Sequence, residues 1–288
     1  MANEQAFKDY WFDKNTPQFI LVYPNGAAPW GDSYFTNSVN NGPYADALWQ
    51  EFLPALEAKY RLIKQPKARF LGGCSTGGWV SLASQIFYPD RFNGAYSYSA
   101  DSPSFSHFQR INLYKDNHVF FKQAGKYHPA YTNKDGETRF TIEAEVLMEN
   151  ALGKANSYTQ SGSQWGSWNA VFSPKGTNGK PAPAWDENGK INEHIVAHWQ
   201  QYDLAAYVVA HWQALQQPLQ GKLNITMGDK DGYDLHLGMA AFEKTLKSLP
   251  GSDATFNWQQ DAGHCELSEI DTLKEVLPKA YKRYVGSN

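Results

Sequence analysis

The segment Ala68-Arg69-Phe70-Leu71 reads as a short strand closed by Gly72-Gly73. It runs through Gly73-Cys74-Ser75-Thr76-Gly77 into residues whose apolar positions (Trp79, Val80, Leu82, Ala83, Ile86 and Phe87) recur at helical spacing until Pro89. A strand that becomes a helix across so short a turn allows few folds. Glycines are needed on both flanks, because a Cβ there would collide with the neighbouring strand or helix, and Gly78 extends the clearance. Ser75 then sits in a sharp, strained turn at the C-terminal edge of a sheet, where open α/β sheets bind their ligands. The helix N-terminus behind it favours developing negative charge.

The rest of the chain repeats this alternation. Phe19-Ile20-Leu21-Val22-Tyr23, closed by Pro24-Asn25-Gly26, reads as a buried strand, and Leu48, Phe52, Leu53, Leu56 and Tyr60 predict a helix from about Pro43 to Arg61. Further strands are expected at Ala95–Tyr98, Leu223–Met227 and Thr255–Trp258, with helices at Leu235–Leu249 and Leu267–Tyr284. Such alternation implies an α/β fold, a mostly parallel sheet with helices on both faces. It breaks between Pro103 and Gln220, where a helix near Thr141–Leu152 precedes a polar region carrying Trp165, Trp168 and Trp185. A long helical pattern then runs from Asn192 to Gln216. The expectation is one domain over 1–288, with 103–220 a cap-like insertion.

Of the 288 residues 42% are hydrophobic and 19% charged, enough for one large core. A formal net charge of -3 without a basic block argues against a nucleic-acid partner, and no apolar run has the length of a membrane span. The N-terminus, Met1 to Lys14, has neither the basic start nor the apolar stretch of a signal peptide.

A serine hydroxyl needs a base. His264, in Asp261-Ala262-Gly263-His264-Cys265, is the sole histidine after Trp258, which is where this fold order (serine, acid, histidine) places it. His236 opens a helix and is expected to cap or pack. His194 and His198 stand four apart without the glutamate of a zinc-protease helix, and His107, His118, His128 and His211 have no assigned chemistry. The acid that orients the imidazole is expected in Gly228-Asp229-Lys230-Asp231, with Asp231 preferred and Asp229, a turn former, the alternative. The Thr76 N–H would be one oxyanion donor. No metal or cofactor is required by this chemistry. The two cysteines, Cys74 and Cys265, flank the proposed nucleophile and base. Contact between Ser75 and His264 would force them within bridging range, predicting a Cys74–Cys265 disulfide and an oxidising, secreted or periplasmic setting.

Phe19 to Phe105, with its Tyr-Pro-Asn-Gly strand end, Glu51-Phe52-Leu53-Pro54 helix and Gly-x-Ser-x-Gly turn, resembles the esterase D-like family of α/β-hydrolases, as does the tail with Asp231 and Gly263-His264. Cys74-Ser75, Asp231 and His264-Cys265 also look like the CS-D-HC arrangement of tannases and feruloyl esterases. Both resemblances imply hydrolysis of a small-molecule or glycan-linked ester through an acyl-enzyme. The same triad would serve an acyltransferase or peptidase. One strand alone precedes Ala68–Leu71, so the N-terminal strands of the α/β-hydrolase fold, with the oxyanion loop, are expected to be missing. A hydrolase-fold binding module for a glycan or aromatic ligand is the reading that this departure favours.

Overall fold

The computed structural model describes residues 2–123 and 125–286. Its centre is a four-stranded parallel sheet of β1 (Leu71–Cys74), β2 (Ala95–Tyr98), β3 (Leu223–Gly228) and β4 (Thr255–Gln259), in the order β4-β3-β2-β1. The ladders run in register, Leu71 and Leu223 both pairing with Ala95, and Asn224 pairing with Thr255. Parallel neighbours need a crossover. Helix α3 (Thr76–Phe87) joins β1 to β2, and α8 (Leu235–Ser248) joins β3 to β4.

The two sheet faces bury different amounts. Leu223, Ile225 and Met227 project into a large cluster with Trp79, Leu82 and Ile86 of α3, Val208 and Trp212 of α7 (Leu204–Leu215) and Met239 and Phe242 of α8. The opposite face carries Tyr96 and Tyr98, packed against Ala280 and Val276 of α9 (Glu269–Gly286), with Phe19 and Phe70 beside them. Helices therefore cover both faces, as the alternation implied.

Residues between β2 and β3, the stretch expected to form a cap-like insertion, contribute to the larger cluster. Trp165, Trp168 and Phe172 of α5 (Gln164–Phe172), Trp185, and Trp199 of α6 (Glu193–Trp199) are all buried in it with Trp79. Helix α4 (Ile142–Leu152) adds Ile142 and Val146, and its Glu149 carboxylate accepts the Trp165 and Gly166 backbone N–H groups at the start of α5. The helix expected over 192–216 is two. A 3-10 turn, Gln200–Tyr202, separates α6 from α7, and Asp203 caps α7 by accepting the Ala206 N–H at 3.0 Å. The Pro43–Arg61 pattern becomes Tyr44–Ala47, a π-helical turn Leu48–Phe52 and α2 (Leu53–Lys59). The N-terminal helix is α1 (Ala2–Trp11).

One expected strand does not form. Phe19–Tyr23 is in no ladder among the described residues, and it is not buried: Ile20, Val22 and Tyr23 are exposed. Phe19 packs edge-on against Phe70, and Tyr23 donates its hydroxyl hydrogen bond to the Glu269 carboxylate. A strand needs a neighbour to take its N–H and C=O groups. Without one the apolar run cannot become a ladder, and the outer side of β1 is likewise unpaired among the described residues. The strand expected at Ala68–Leu71 lies three residues later, at Leu71–Cys74, because Pro66–Ala68 forms a 3-10 turn.

Candidate active site

Strand β1 ends directly in the turn that holds Ser75. Its φ of 55° and ψ of -123° lie outside the regions ordinary residues favour. The turn is held by the Ser75 N–H donating to Tyr98 O at 3.0 Å and by Trp79 N–H donating back to Ser75 O at 3.0 Å. A Cβ on Gly73 would stand 2.5 Å from the Gly77 carbonyl carbon, and one on Gly78 would stand 2.6 Å from Tyr98 O. Gly73 and Gly78 are therefore conditions for the turn, since both neighbours are backbone, whereas a Cβ on Gly77 would meet nothing within 4 Å and the expected clash is absent there. Thr76 is the first residue of α3, so its N–H has no acceptor within the helix.

The histidine loop is docked onto the end of β3. Lys230 N–H donates to Ala262 O at 2.9 Å, and a Cβ on Gly228 would meet that same oxygen at 2.3 Å. This close passage delivers His264 to Asp231. His264 Nδ1 and Asp231 Oδ2 are 2.7 Å apart, while Asp231 Oδ1 accepts the Tyr233 N–H at 2.9 Å. The Asp231 side chain is fully buried, and His264 is largely so. Asp229 is exposed at the strand end and does not reach the imidazole; its backbone N–H donates to Gln259 O. The Tyr233 ring stands edge-on to His264 at 5.0 Å.

Cys74 and Cys265 form a disulfide with their Cα atoms 6.1 Å apart, tying the serine turn to the histidine loop. The Ser75 hydroxyl, however, makes its hydrogen bond elsewhere. Among the described residues no hydrogen bond joins it to the imidazole; Ser75 Oγ donates to Asp101 Oδ1 at 3.3 Å. Asp101 follows β2, one strand over from β1, and is buried. Its Oδ2 accepts from Tyr34 OH at 2.6 Å, Thr76 Oγ1 at 3.2 Å and Trp168 Nε1 at 3.2 Å. Burial pushes the Asp101 carboxyl above its ordinary value, opposed by the hydrogen bonds from Tyr34, Trp168 and Thr76. The sequence reading missed this residue. The available signal was its place: an acid just past a strand end, at the edge where Ser75 also lies.

A cleft of about 270 Å³ opens beside His264, walled by Tyr131 and Thr132 of an insertion hairpin (Pro129–Thr132 with Thr138–Thr141), by Tyr233 and by Lys134 and Lys230. Thr132 N–H donates to Gly232 O at 2.8 Å, fixing the hairpin to the Asp231 loop. Both lysines are paired, Lys134 with Glu266 and Lys230 with Asp261 at 2.7 Å. The other histidines take no part. His236 Nδ1 is buried without a partner, and His198 Nδ1 lies 2.9 Å from Phe172 O. Among the described residues no group of three His, Cys, Asp or Glu side chains is arranged to hold a metal, and no helix is long and apolar enough to cross a membrane.

A parallel sheet crossed over by helices, with a strained serine at its C-terminal edge and a histidine loop behind the last strand, is the arrangement of the α/β-hydrolase class. Within that class the chain belongs to the family described as "Putative esterase", whose model matches residues 4–248. Among solved structures it is similar to a ferulic acid esterase, at 17% identity and a TM-score of 0.49 over 88% of this chain and 66% of that one. It is also similar to the substrate-bound fluorophosphonate-binding serine hydrolase F of Staphylococcus aureus, at 13% identity and a TM-score of 0.42, covering 88% of this chain and 68% of that one. A third is an S-formylglutathione hydrolase from Agrobacterium tumefaciens, at 14% identity and a TM-score of 0.41, covering 88% and 64%. The chain thus spans about two thirds of the length of these structures. A comparison with curated proteins finds no match.

Proposed function

We propose that this protein is a serine esterase that cleaves carboxylic esters through an acyl-enzyme on Ser75. The carrying observation is the 2.7 Å contact between His264 Nδ1 and Asp231 Oδ2 in a loop tied by disulfide to the residue next to Ser75. With Nδ1 engaged by the carboxylate, Nε2 is the nitrogen left to take the serine proton. Asp231 holds the tautomer and stabilises the imidazolium. The Ser75 hydroxyl turns from Asp101 to His264, attacks the ester carbonyl and forms a tetrahedral oxyanion, which the Thr76 N–H stabilises at the start of α3. Collapse expels the alcohol, protonated by His264. Water, activated by the same imidazole, then releases the acid.

The insertion serves as the cap of this site. Its hairpin supplies Tyr131 and Thr132 to the cleft beside His264, and its Trp168 reaches Asp101. The tyrosine walls suit an apolar or aromatic portion of a small-molecule or glycan-linked ester. The Cys74–Cys265 bridge supports residence in an oxidising compartment.

A fluorophosphonate probe should label Ser75, and p-nitrophenyl acetate should be hydrolysed. Ser75→Ala should abolish labelling and lower kcat by at least about 10³-fold. Asp231→Asn, which mis-sets the tautomer, should lower kcat by about 10⁴-fold with the fold intact. A wild-type protein that neither labels nor turns over the ester refutes the proposal.

A further inference from the structure

The catalytic cycle just described uses one of two buried carboxylates at the sheet edge. Asp231 lies on the imidazole; Asp101 lies on the serine. The two oxygens of Asp101 are engaged differently. Oδ2 takes Tyr34 OH, Thr76 Oγ1 and Trp168 Nε1, with Gln164 Nε2 at 3.5 Å, while Ser75 Oγ donates to Oδ1. Gln164 Nε2 also donates to Tyr34 OH at 2.7 Å. The cluster therefore joins the loop bearing Tyr34, the nucleophile turn and helix α5 of the insertion at a single carboxyl group.

We propose that Asp101 is a positioning residue that holds the Ser75 hydroxyl in a resting orientation, off the imidazole, with a grip set by the donors on its other oxygen. The inference rests on Ser75 being the nucleophile. A hydroxyl has one proton to donate. While that proton is on Asp101 Oδ1 it is unavailable to His264, so attack requires the bond to be given up. Leaving a buried charged acceptor unpaired opposes that turn. Donors on Oδ2 draw electron density from the carboxylate and weaken its hold on Ser75. Tyr34, at 2.6 Å, makes the shortest of these contacts and Trp168 of α5 makes another, so the placement of the insertion bears directly on the reactivity of the nucleophile.

Two substitutions should act in opposite directions. In Asp101→Asn the donors Tyr34, Thr76 and Trp168 orient the amide oxygen toward themselves. The amide NH₂ then faces Ser75 Oγ and cannot accept its proton, so the hydroxyl is released to turn to His264. Labelling by fluorophosphonate should rise by about fivefold, the equivalent of releasing one ordinary hydrogen bond. The kcat for p-nitrophenyl acetate should rise with it and KM should not change. Tyr34→Phe removes the shortest donor without touching Ser75, so the carboxylate grips harder and labelling should fall severalfold. A merely structural role would lower both. Thermal melting shows that each variant is folded; should Asp101→Asn not fold, the direction of Tyr34→Phe decides. Crystal structures of wild-type and Asp101→Asn protein give a reading independent of turnover: Ser75 Oγ should turn toward His264 in the variant. Slower labelling of a folded Asp101→Asn, faster labelling of Tyr34→Phe, or an unchanged Ser75 rotamer overturns the inference. A wild-type protein that is not labelled defeats the hydrolase assignment instead, while the comparison of rotamers still decides the role of Asp101.

Discussion

Two aromatic and aliphatic stretches of this molecule have very different neighbours. In the insertion, Trp165, Trp185 and Trp199 are buried among one another and against Phe108 and Phe172, with ring centroids 5.3 to 6.2 Å apart in contacts such as Trp165–Trp185 and Phe108–Trp165. Two of their polar edges are met, Trp165 Nε1 donating to Glu145 Oε2 at 2.9 Å and Trp199 Nε1 to Ser173 Oγ at 2.8 Å, while Trp185 Nε1 is buried without a partner. At Phe19–Tyr23, by contrast, Phe19 packs beside Phe70 at the edge of the smaller cluster and Tyr23 bonds Glu269, while Ile20 and Val22 face solvent. The difference teaches that apolar content does not bury a segment. A surface of matching shape must be present to receive it.

The comparison can be tested by truncation. Trp165→Ala empties a fully enclosed space and strands the Glu145 carboxylate, so it should destabilise by about 3–5 kcal/mol. That would lower the melting temperature by roughly 6–20 °C in calorimetry. A change under about 1 kcal/mol would mean that the insertion is no more embedded than the N-terminal segment. The site lies between these extremes, because the His264–Glu266 loop is only partly buried. There the disulfide substitutes for packing. Cys74→Ser with Cys265→Ser should cost about 2–5 kcal/mol in denaturant unfolding, through the long loop it no longer closes. The loss of ester turnover should exceed what unfolding explains. Phe19→Ala should cost about 1 kcal/mol by removing a single half-buried ring, and Ile20→Ser with Val22→Ser should stay within about 0.5 kcal/mol. A large effect from the last pair would show that the exposed segment is covered in solution.

The legible parts of the site share a property: their chemistry is tied to chain punctuation. Ser75 stands in a turn where Gly73 and Gly78 leave no room for a side chain, and His264 and Asp231 stand just past strands that are easy to read. The cysteines, two in number and each beside one of these residues, were legible by adjacency alone. Asp101 was not, although it also follows a strand. Its importance arises from the register of β2 on β1, which sets Tyr98 O over Ser75 N–H and carries the next residues to the serine. The break at Asp203 was hidden for a similar reason. That side chain is held by Phe105 N–H and Tyr114 OH, donors 98 and 89 residues away in sequence, and helical periodicity on either side does not record them.

The amino-acid sequence by itself determined the sheet-and-helix alternation, the serine turn and which side chains stand at strand ends. These follow from local backbone sterics and from spacing, which act between near neighbours. Tertiary structure alone decided that Phe19–Tyr23 stays outside the sheet, that the insertion's tryptophans become core, and that the serine hydroxyl rests on Asp101. Those outcomes depend on which groups from distant parts of the chain arrive to accept a hydrogen bond or fill a void, and no local pattern specifies who arrives.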